Sequence, residues 1–421
     1  RGVECGYCVR RGYRCHLRRQ LQMCIGDRVG FVLIAIALVF WAALTDTGWM
    51  AATALAAQRG AMVMALFTAL TAIRNAAISA PAIVECGRFL ARQRSGLRYT
   101  ALTVGGHLFA LILLYGSISL LGTLATESTA REPDPEIRKQ RTRRMMIAIQ
   151  RGFASTLCWS PLGFSMIISV SVVPGASWSA AALPGLVSAL MMLVIGWGLD
   201  ALYKPQVKPN TRPLETERWV TQLRPLLVLL GLVLVGVALL HSVAGVEVIG
   251  AVMSLVPLIA ILWIAMQQPP VGLTRSVNVR QRALLFVTRE LPNYRGEIVL
   301  LFMAGFIGSL GAFLLVPLVQ AQALDLTTIP PWIIVAAMVW IIPVTGQLGM
   351  NPILAVSLLV PILPSPEVMG IPPTAMVVAI TGGWALRGAT SPFTASVLLA
   401  ASWGGWSPLR AGWALVPDAP R

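Results

Sequence analysis

Charge is what this sequence has least of. Asp, Glu, Lys and Arg together make up 12% of its 421 residues, about half the usual share of a soluble domain. A soluble protein of this length could not cover its surface with so few charges. Histidine is scarcer still, with three in the chain and none paired at a zinc spacing. A glycine-rich phosphate loop ending in Gly-Lys-Ser/Thr is missing, so direct ATP drive has no support. Gly163-Phe164-Ser165 starts a nucleophile motif but lacks the closing glycine. These gaps exclude the disordered, disulfide-rich secreted and cytosolic enzyme classes, and no enzyme activity is expected.

Cysteine is unevenly spread. Cys5, Cys8, Cys15 and Cys24 lie at the start, and Cys86 and Cys158 stand alone further on. Cys5-x-x-Cys8 has zinc spacing, but Cys15 and Cys24 do not make a second tight pair, so no metal site is expected. The chain opens on Arg1, and Met23 stands just before the first apolar run. Residues 1–28 therefore read as a basic cysteine-bearing segment, of which 1–22 could lie upstream of the native start.

Apolar residues are present in excess: 56% of the chain, with mean hydropathy +0.74. They come in runs at 29–49, 51–73, 99–125, 145–173, 179–203, 225–243, 245–267, 296–321, 331–363 and 372–401. A hydrocarbon core of ~30 Å needs ~20 residues of helix. The expected fold is an all-α polytopic integral membrane protein with about 10 transmembrane segments. No cleavable signal is convincing before Val29–Trp41, which reads as the first span.

The net charge of +16 would suggest nucleic acid in a soluble chain. Here the basic residues cluster between apolar runs, so the lipid bilayer is the expected partner and nucleic acid is not. Both the 74–98 connector and residues 127–151 are rich in arginine, which assigns both to the cytoplasmic side. One apolar run, 99–125, separates them. Either that run is a re-entrant hairpin or one connector violates the charge rule. Its His107, Tyr115, Gly116, Ser117 and Ser119 lean toward the hairpin.

Three runs carry breaks, at Ser160-Pro161, Asn351-Pro352 and Ser391-Pro392. Proline removes a backbone donor and disfavours helix at the residue before it. At membrane depth such breaks survive only against protein or a watery cavity. The order of elements recurs, giving two related halves at 29–203 and 225–403, a basic Pro-rich linker at 204–224 and a tail at 404–421. In this reading Ser160-Pro161 falls opposite Asn351-Pro352, and Gly105-Gly106 near Gly305.

Broken helices in corresponding positions of two halves point to a transporter's central site. Ser160, Asn351 and Ser391 place short polar side chains at the breaks. Arg387 stands inside the last run, where an intramembrane charge is by default functional. Its guanidinium would grip carboxylate or phosphate, with Thr390 beside it. These five are the expected substrate-binding residues, and His107, Thr345 and Gln347 the ion-coupling candidates. For His107 a buried, satisfied imidazole is the competing reading. Arg74 and Asn75 end the second run, where a lipid-facing anchor is expected. Tryptophans such as Trp49, Trp178 and Trp332 fall near span ends, as an aromatic belt does.

The two halves with broken spans, and the polar-Pro breaks at 160–161, 351–352 and 391–392, resemble the ion transporter superfamily. That group includes divalent anion/sodium symporters and membrane subunits of tripartite periplasmic transporters. The resemblance covers about 29–403 and implies inverted repeats, re-entrant hairpins, a homodimeric scaffold and elevator-like carriage of organic anions with sodium. This chain departs from it in lacking the Ser-Asn-Thr signatures of dicarboxylate members.

The expected function is a secondary active transporter of the cell inner membrane, moving a small organic or inorganic anion with sodium or protons. No cofactor is expected beyond a sodium ion. The alternative is a non-transporting integral subunit or scaffold of a larger complex.

Overall fold

Inside a bilayer the backbone has no water to bond, so a spanning segment must close its hydrogen bonds within itself, and a helix does so. The computed structural model describes residues 29–130, 132–202, 219–269, 274–321 and 326–409. All regular structure among them is helical. In chain order the helices are α1 (Val29–Thr45), α2 (Trp49–Ile78), α3 (Pro81–Ala91), α4 (Ser95–Leu113), α5 (Gly116–Thr129) and α6 (Pro135–Thr156). Next come α7 (Phe164–Val172), α8 (Trp178–Leu202), α9 (Trp219–Ala244), α10 (Val248–Met266), α11 (Arg275–Leu285) and the short α12 (Leu291–Asn293). The last are α13 (Arg295–Ala321), α14 (Pro331–Gln347), α15 (Pro352–Leu359), α16 (Pro373–Thr390) and α17 (Ala395–Gly404).

Five helices, α2, α8, α9, α10 and most of α13, are long and apolar enough to cross a membrane. Their outward faces stay apolar: Leu183 on α8, Val235 on α9 and Leu258 on α10 are exposed, as are Trp332 and Trp340 on α14. Such surfaces suit lipid and would aggregate in water. The chain is a polytopic α-helical membrane protein.

Two expected boundaries move. Helix α9 begins at Trp219, so the last residues of the expected 204–224 linker are helical, while 203–218 lie outside the described residues. Residues 1–28, with their four cysteines, and 410–421 also lie outside them. Within 74–98, residues 74–78 complete α2 and Pro81–Ala91 forms an amphipathic helix that buries Ile83, Cys86 and Leu90.

The run 99–125 is not one span. It breaks at Leu114, which takes φ +49° and ψ −130°, a strained setting for a residue with a Cβ. Helix α4 runs parallel to α6, with Tyr99 bonded to Arg151 at 2.7 Å and His107 to Ser155 at 2.7 Å. Helix α5 runs antiparallel to α6: Tyr115 packs on Phe153, and Thr129 bonds Thr142 at 2.9 Å. Thus α4 and α5 form a hairpin with its tip at Leu114–Gly116. The hairpin returns the chain to the side it left, and Arg98 lies within electrostatic reach of Arg141 and Arg144. Both basic connectors meet at one end, as the charge rule requires.

The α4–α6 crossing is tight because two glycines face each other's helix. A Cβ on Gly106 would stand 2.7 Å from the Ile149 carbonyl oxygen, and one on Gly152 would collide with Thr103 and stand 2.8 Å from the His107 nitrogen. Gly152→Ala is therefore expected to lower the melting temperature of the purified protein, by about 1–3 kcal/mol of overpacking. Gly198→Ala, where nothing lies within 4 Å, should leave it unchanged. Single cysteines at Arg94 and Pro133, in a cysteine-free background, should react with an impermeant maleimide from the same side of the membrane. Labelling from opposite sides would rule out the hairpin.

Candidate functional site

Breaking a helix releases carbonyls and N–H groups that must be satisfied at membrane depth. At the end of α6 the hydroxyl of Ser165 reaches back to the Leu157 carbonyl, and the Ser160 hydroxyl accepts from the Leu162 N–H at 3.2 Å. At the end of α16 the same bonds recur 231 residues later. Ser396 donates to the Gly388 carbonyl at 2.6 Å, and the Ser391 hydroxyl accepts from the Phe393 N–H at 3.3 Å. The Ser160 and Ser391 N–H groups bond the carbonyls of Thr156 and Arg387, and Gly163 and Thr394 close the next turn on Ser160 and Ser391. Ser160-Pro161-x-x-x-Ser165 and Ser391-Pro392-x-x-x-Ser396 are therefore one device used twice.

This corrects the pairing read from the sequence. Ser160-Pro161 matches Ser391-Pro392. The Asn351-Pro352 break, between α14 and α15, takes the place held by the Leu114–Gly116 tip between α4 and α5. Helix α14 runs parallel to α16, as α4 does to α6: Gly383 packs on Val339, and Gly346 on Arg387. Gly349, at φ +84°, closes α14 as Leu114 closes α4, with Met350 N–H returning to the Thr345 carbonyl at 3.1 Å. Likewise Gly106 packs on α6, whereas Gly305 packs on Gly60 of α2, so those glycines are not counterparts. Residue type alone misled here: Ser160, Ser391 and Asn351 each accept from the N–H two residues on, and what sets the first two apart is the serine five residues later that reaches back to a carbonyl.

Arg387 occupies the centre of the second group. The residue is 7% exposed, and no described residue forms a salt bridge with it. One Nη donates to the Met350 carbonyl at 2.8 Å, and its Nε is buried without a partner. Gly346 makes the room, since a Cβ there would lie 2.5 Å from the Arg387 Cγ and Cδ. The Gly346 carbonyl in turn accepts from Ser391 at 2.7 Å. Arg387 thus ties α16 to the tip between α14 and α15 through Met350.

The other predicted residues fall around it. Asn351 caps α15, its Oδ1 accepting from Ile353 N–H at 2.9 Å, which leaves its amide nitrogen as a donor. Gln347 donates to Thr390 at 3.4 Å, while Thr390 and Thr345 bond back to carbonyls of their own helices. Ser160 and His107 belong to the first break. The two groups join where α6 crosses α16, and Gln150 donates to the Ala389 carbonyl at 3.1 Å.

His107 is bonded on both ring nitrogens. Ser155 donates to the Gly152 carbonyl, so its oxygen accepts from His107 Nδ1–H, while Trp159 donates to His107 Nε2 at 3.2 Å. These bonds hold a neutral imidazole, and a second proton would face the indole N–H. Arg74 is half-buried, over the Tyr294 ring at 5.6 Å from its centroid, with its Nε enclosed. Sequence reasoning missed Gly346 and Gln150, neither of which sits beside a proline.

No protein-family model matches the chain, and no curated protein matches it. Among solved structures it is similar to the crystal structure of the Alcanivorax borkumensis YdaH transporter, described as having an unusual topology. The likeness has a TM-score of 0.53 at 15% identity and covers 93% of this chain and 99% of that one. At that identity the two share a fold.

The two serine bridges give a stability prediction. Ser165→Ala and Ser396→Ala each leave a buried carbonyl without its donor, and each should cost about 1–3 kcal/mol in detergent unfolding. Similar losses at both positions are the expected result. A loss at one alone would show that the breaks are not equivalent.

Proposed function

We propose that this protein is a secondary active transporter of the cell inner membrane that moves a small organic or inorganic anion with sodium or protons. The observation that carries the reading is Arg387, a guanidinium held inside the membrane part with an unpartnered Nε and no described carboxylate against it. Burying an unpaired charge is costly, and intramembrane charges mark substrate paths. Two donors stand at this break: Arg387 Nε and the amide nitrogen of Asn351, next in the chain to the Met350 that Arg387 bonds. A cluster of donors with a cation at its centre suits a carboxylate, phosphate or sulfate group. Ser391 shapes the broken backbone beside it and Ser160 that of the first break, while Gln347 donates to Thr390 at 3.4 Å.

His107, bonded on both ring nitrogens, is a poor proton carrier as it stands, and Thr345 and Gln347 remain the other ion-coupling candidates. That the solved structure sharing this fold is a transporter supports the reading, although fold alone does not set function. A non-transporting subunit or scaffold is the second reading. It is favoured by the Arg387–Met350 bond, which would act as a structural clasp between α16 and the α14–α15 turn.

Uptake into proteoliposomes separates the two. Radiolabelled carboxylates, sulfate and phosphate would be offered with and without an inward sodium gradient. Arg387→Gln should lower uptake at least ~10-fold, equivalent to about 1.4 kcal/mol, with the melting temperature retained. A scaffold would show no gradient-driven uptake even in the wild type.

A further inference from the structure

One connector leaves open the kind of apolar face that another closes. Helix α3, which follows α2, turns Ile83, Cys86 and Leu90 into the protein at i, i+3 and i+7, and its Arg88 pairs with Glu85. The segment between α10 and α13 does the reverse. It runs as α11 (Arg275–Leu285), a π-helical turn (Phe286–Glu290) and α12 (Leu291–Asn293). Among its residues only Asn278 is buried. Arg282, one turn on from Asn278, donates to Gln267 Oε1 at 2.9 Å, and Gln267 donates in turn to the Ala76 carbonyl at 3.2 Å. That side fastens the segment to the ends of α10 and α2.

The opposite side is bare. Val277 and Leu284, seven residues apart on one helix face, are 48% and 54% exposed, and Leu285 and Val287 near them are exposed too. Arg280 stands within a turn of both, three residues after Val277 and four before Leu284. Arg275, Arg280 and Arg289 are exposed, and no described residue forms a salt bridge with them. Over 275–293 the chain holds four arginines against one glutamate.

Position decides what lies against this side. The segment leaves α10 and enters α13, which are both long and apolar enough to cross a membrane, so it stands at a bilayer surface. The Gln267–Ala76 bond puts it at the end of α2 that leads into α3, the end that carries the basic connectors. An apolar strip edged by unpaired arginines at that level matches a leaflet of anionic lipid. Its leucines and valines enter the acyl boundary, while the guanidinium groups rise to the phosphates. Water would leave the strip uncovered, and an apolar protein partner would leave the arginines unanswered.

We propose that residues 275–293 form an in-plane arm that docks on anionic phospholipid at the basic side of the membrane. This goes beyond the transport reading and does not depend on it.

The test uses the full chain with a spin label on Leu284→Cys, in a cysteine-free background, in vesicles of phosphatidylcholine and phosphatidylglycerol. The label should relax with oxygen, which concentrates in lipid, and little with a water-soluble nickel chelate. Strong relaxation by the chelate would place the arm in water. Protection from both would place it against protein or a second copy, and either result overturns the proposal. A second measurement needs no label. In detergent the wild type should melt higher with added phosphatidylglycerol than with phosphatidylcholine, because ligand on the folded state stabilises it by mass action. Inorganic phosphate should give no such gain. The double variant Arg280→Gln, Arg289→Gln should bind phosphatidylglycerol at least ~10-fold more weakly, with its melting temperature in phosphatidylcholine retained. Unchanged affinity in that variant, or an equal gain from phosphatidylcholine or from inorganic phosphate, overturns the docking on anionic lipid.

Discussion

Everything in this molecule turns on one constraint: a helix that stops inside a membrane must satisfy the backbone groups it releases without water. The chain meets it with the shortest donors available. Ser165 and Ser396 each reach back eight residues to a carbonyl at the end of the preceding helix, and Ser160 and Ser391 cap the turn that follows. Because those hydroxyls close the backbone, the breaks can sit deep in the protein with Ser160, Ser165, Ser391 and Ser396 almost fully buried. The polar character of the region is therefore first a solution to a backbone problem. Only the groups left over after that solution are available to a ligand.

Those remaining groups are mostly donors, and this gives the site its sign. Arg387 spends one N–H on Met350 and leaves Nε unmet. Asn351 spends its oxygen on capping α15 and keeps its amide nitrogen. Three carboxylates hold arginines near the basic end: Asp200 holds Arg144 through both oxygens, Glu132 pairs with Arg141, and Glu85 with Arg88. Arg387 has no such pair among the described residues. Desolvated, fixed donors of this kind are worth more to a hydrogen-bond acceptor in a low-dielectric setting than at a surface.

Glycine decides how near these groups come to one another. Gly106 and Gly152 let α4 and α6 cross backbone to backbone, which brings His107 to Ser155 and Trp159. Gly346 does the same for the Arg387 stem. In each case the residue without a side chain fixes where a neighbouring side chain stands.

Hydropathy runs, arginine clustering and proline sufficed to read the membrane class, the broken helices at Ser160, Asn351 and Ser391, and the interest of Arg387. Each is a property of a short stretch of chain: a run long enough to cross hydrocarbon, a proline that cannot donate, a charge where charge is costly. The hairpin tip at Leu114 carries no proline, so its break was visible only as a conflict in the charge rule and an excess of polar residues within 99–125. The packing of Arg74 on Tyr294 and the bonding of His107 on both nitrogens were decided by tertiary structure alone. They depend on contacts between residues 48 to 220 positions apart, and local composition does not encode which helix will lie alongside which.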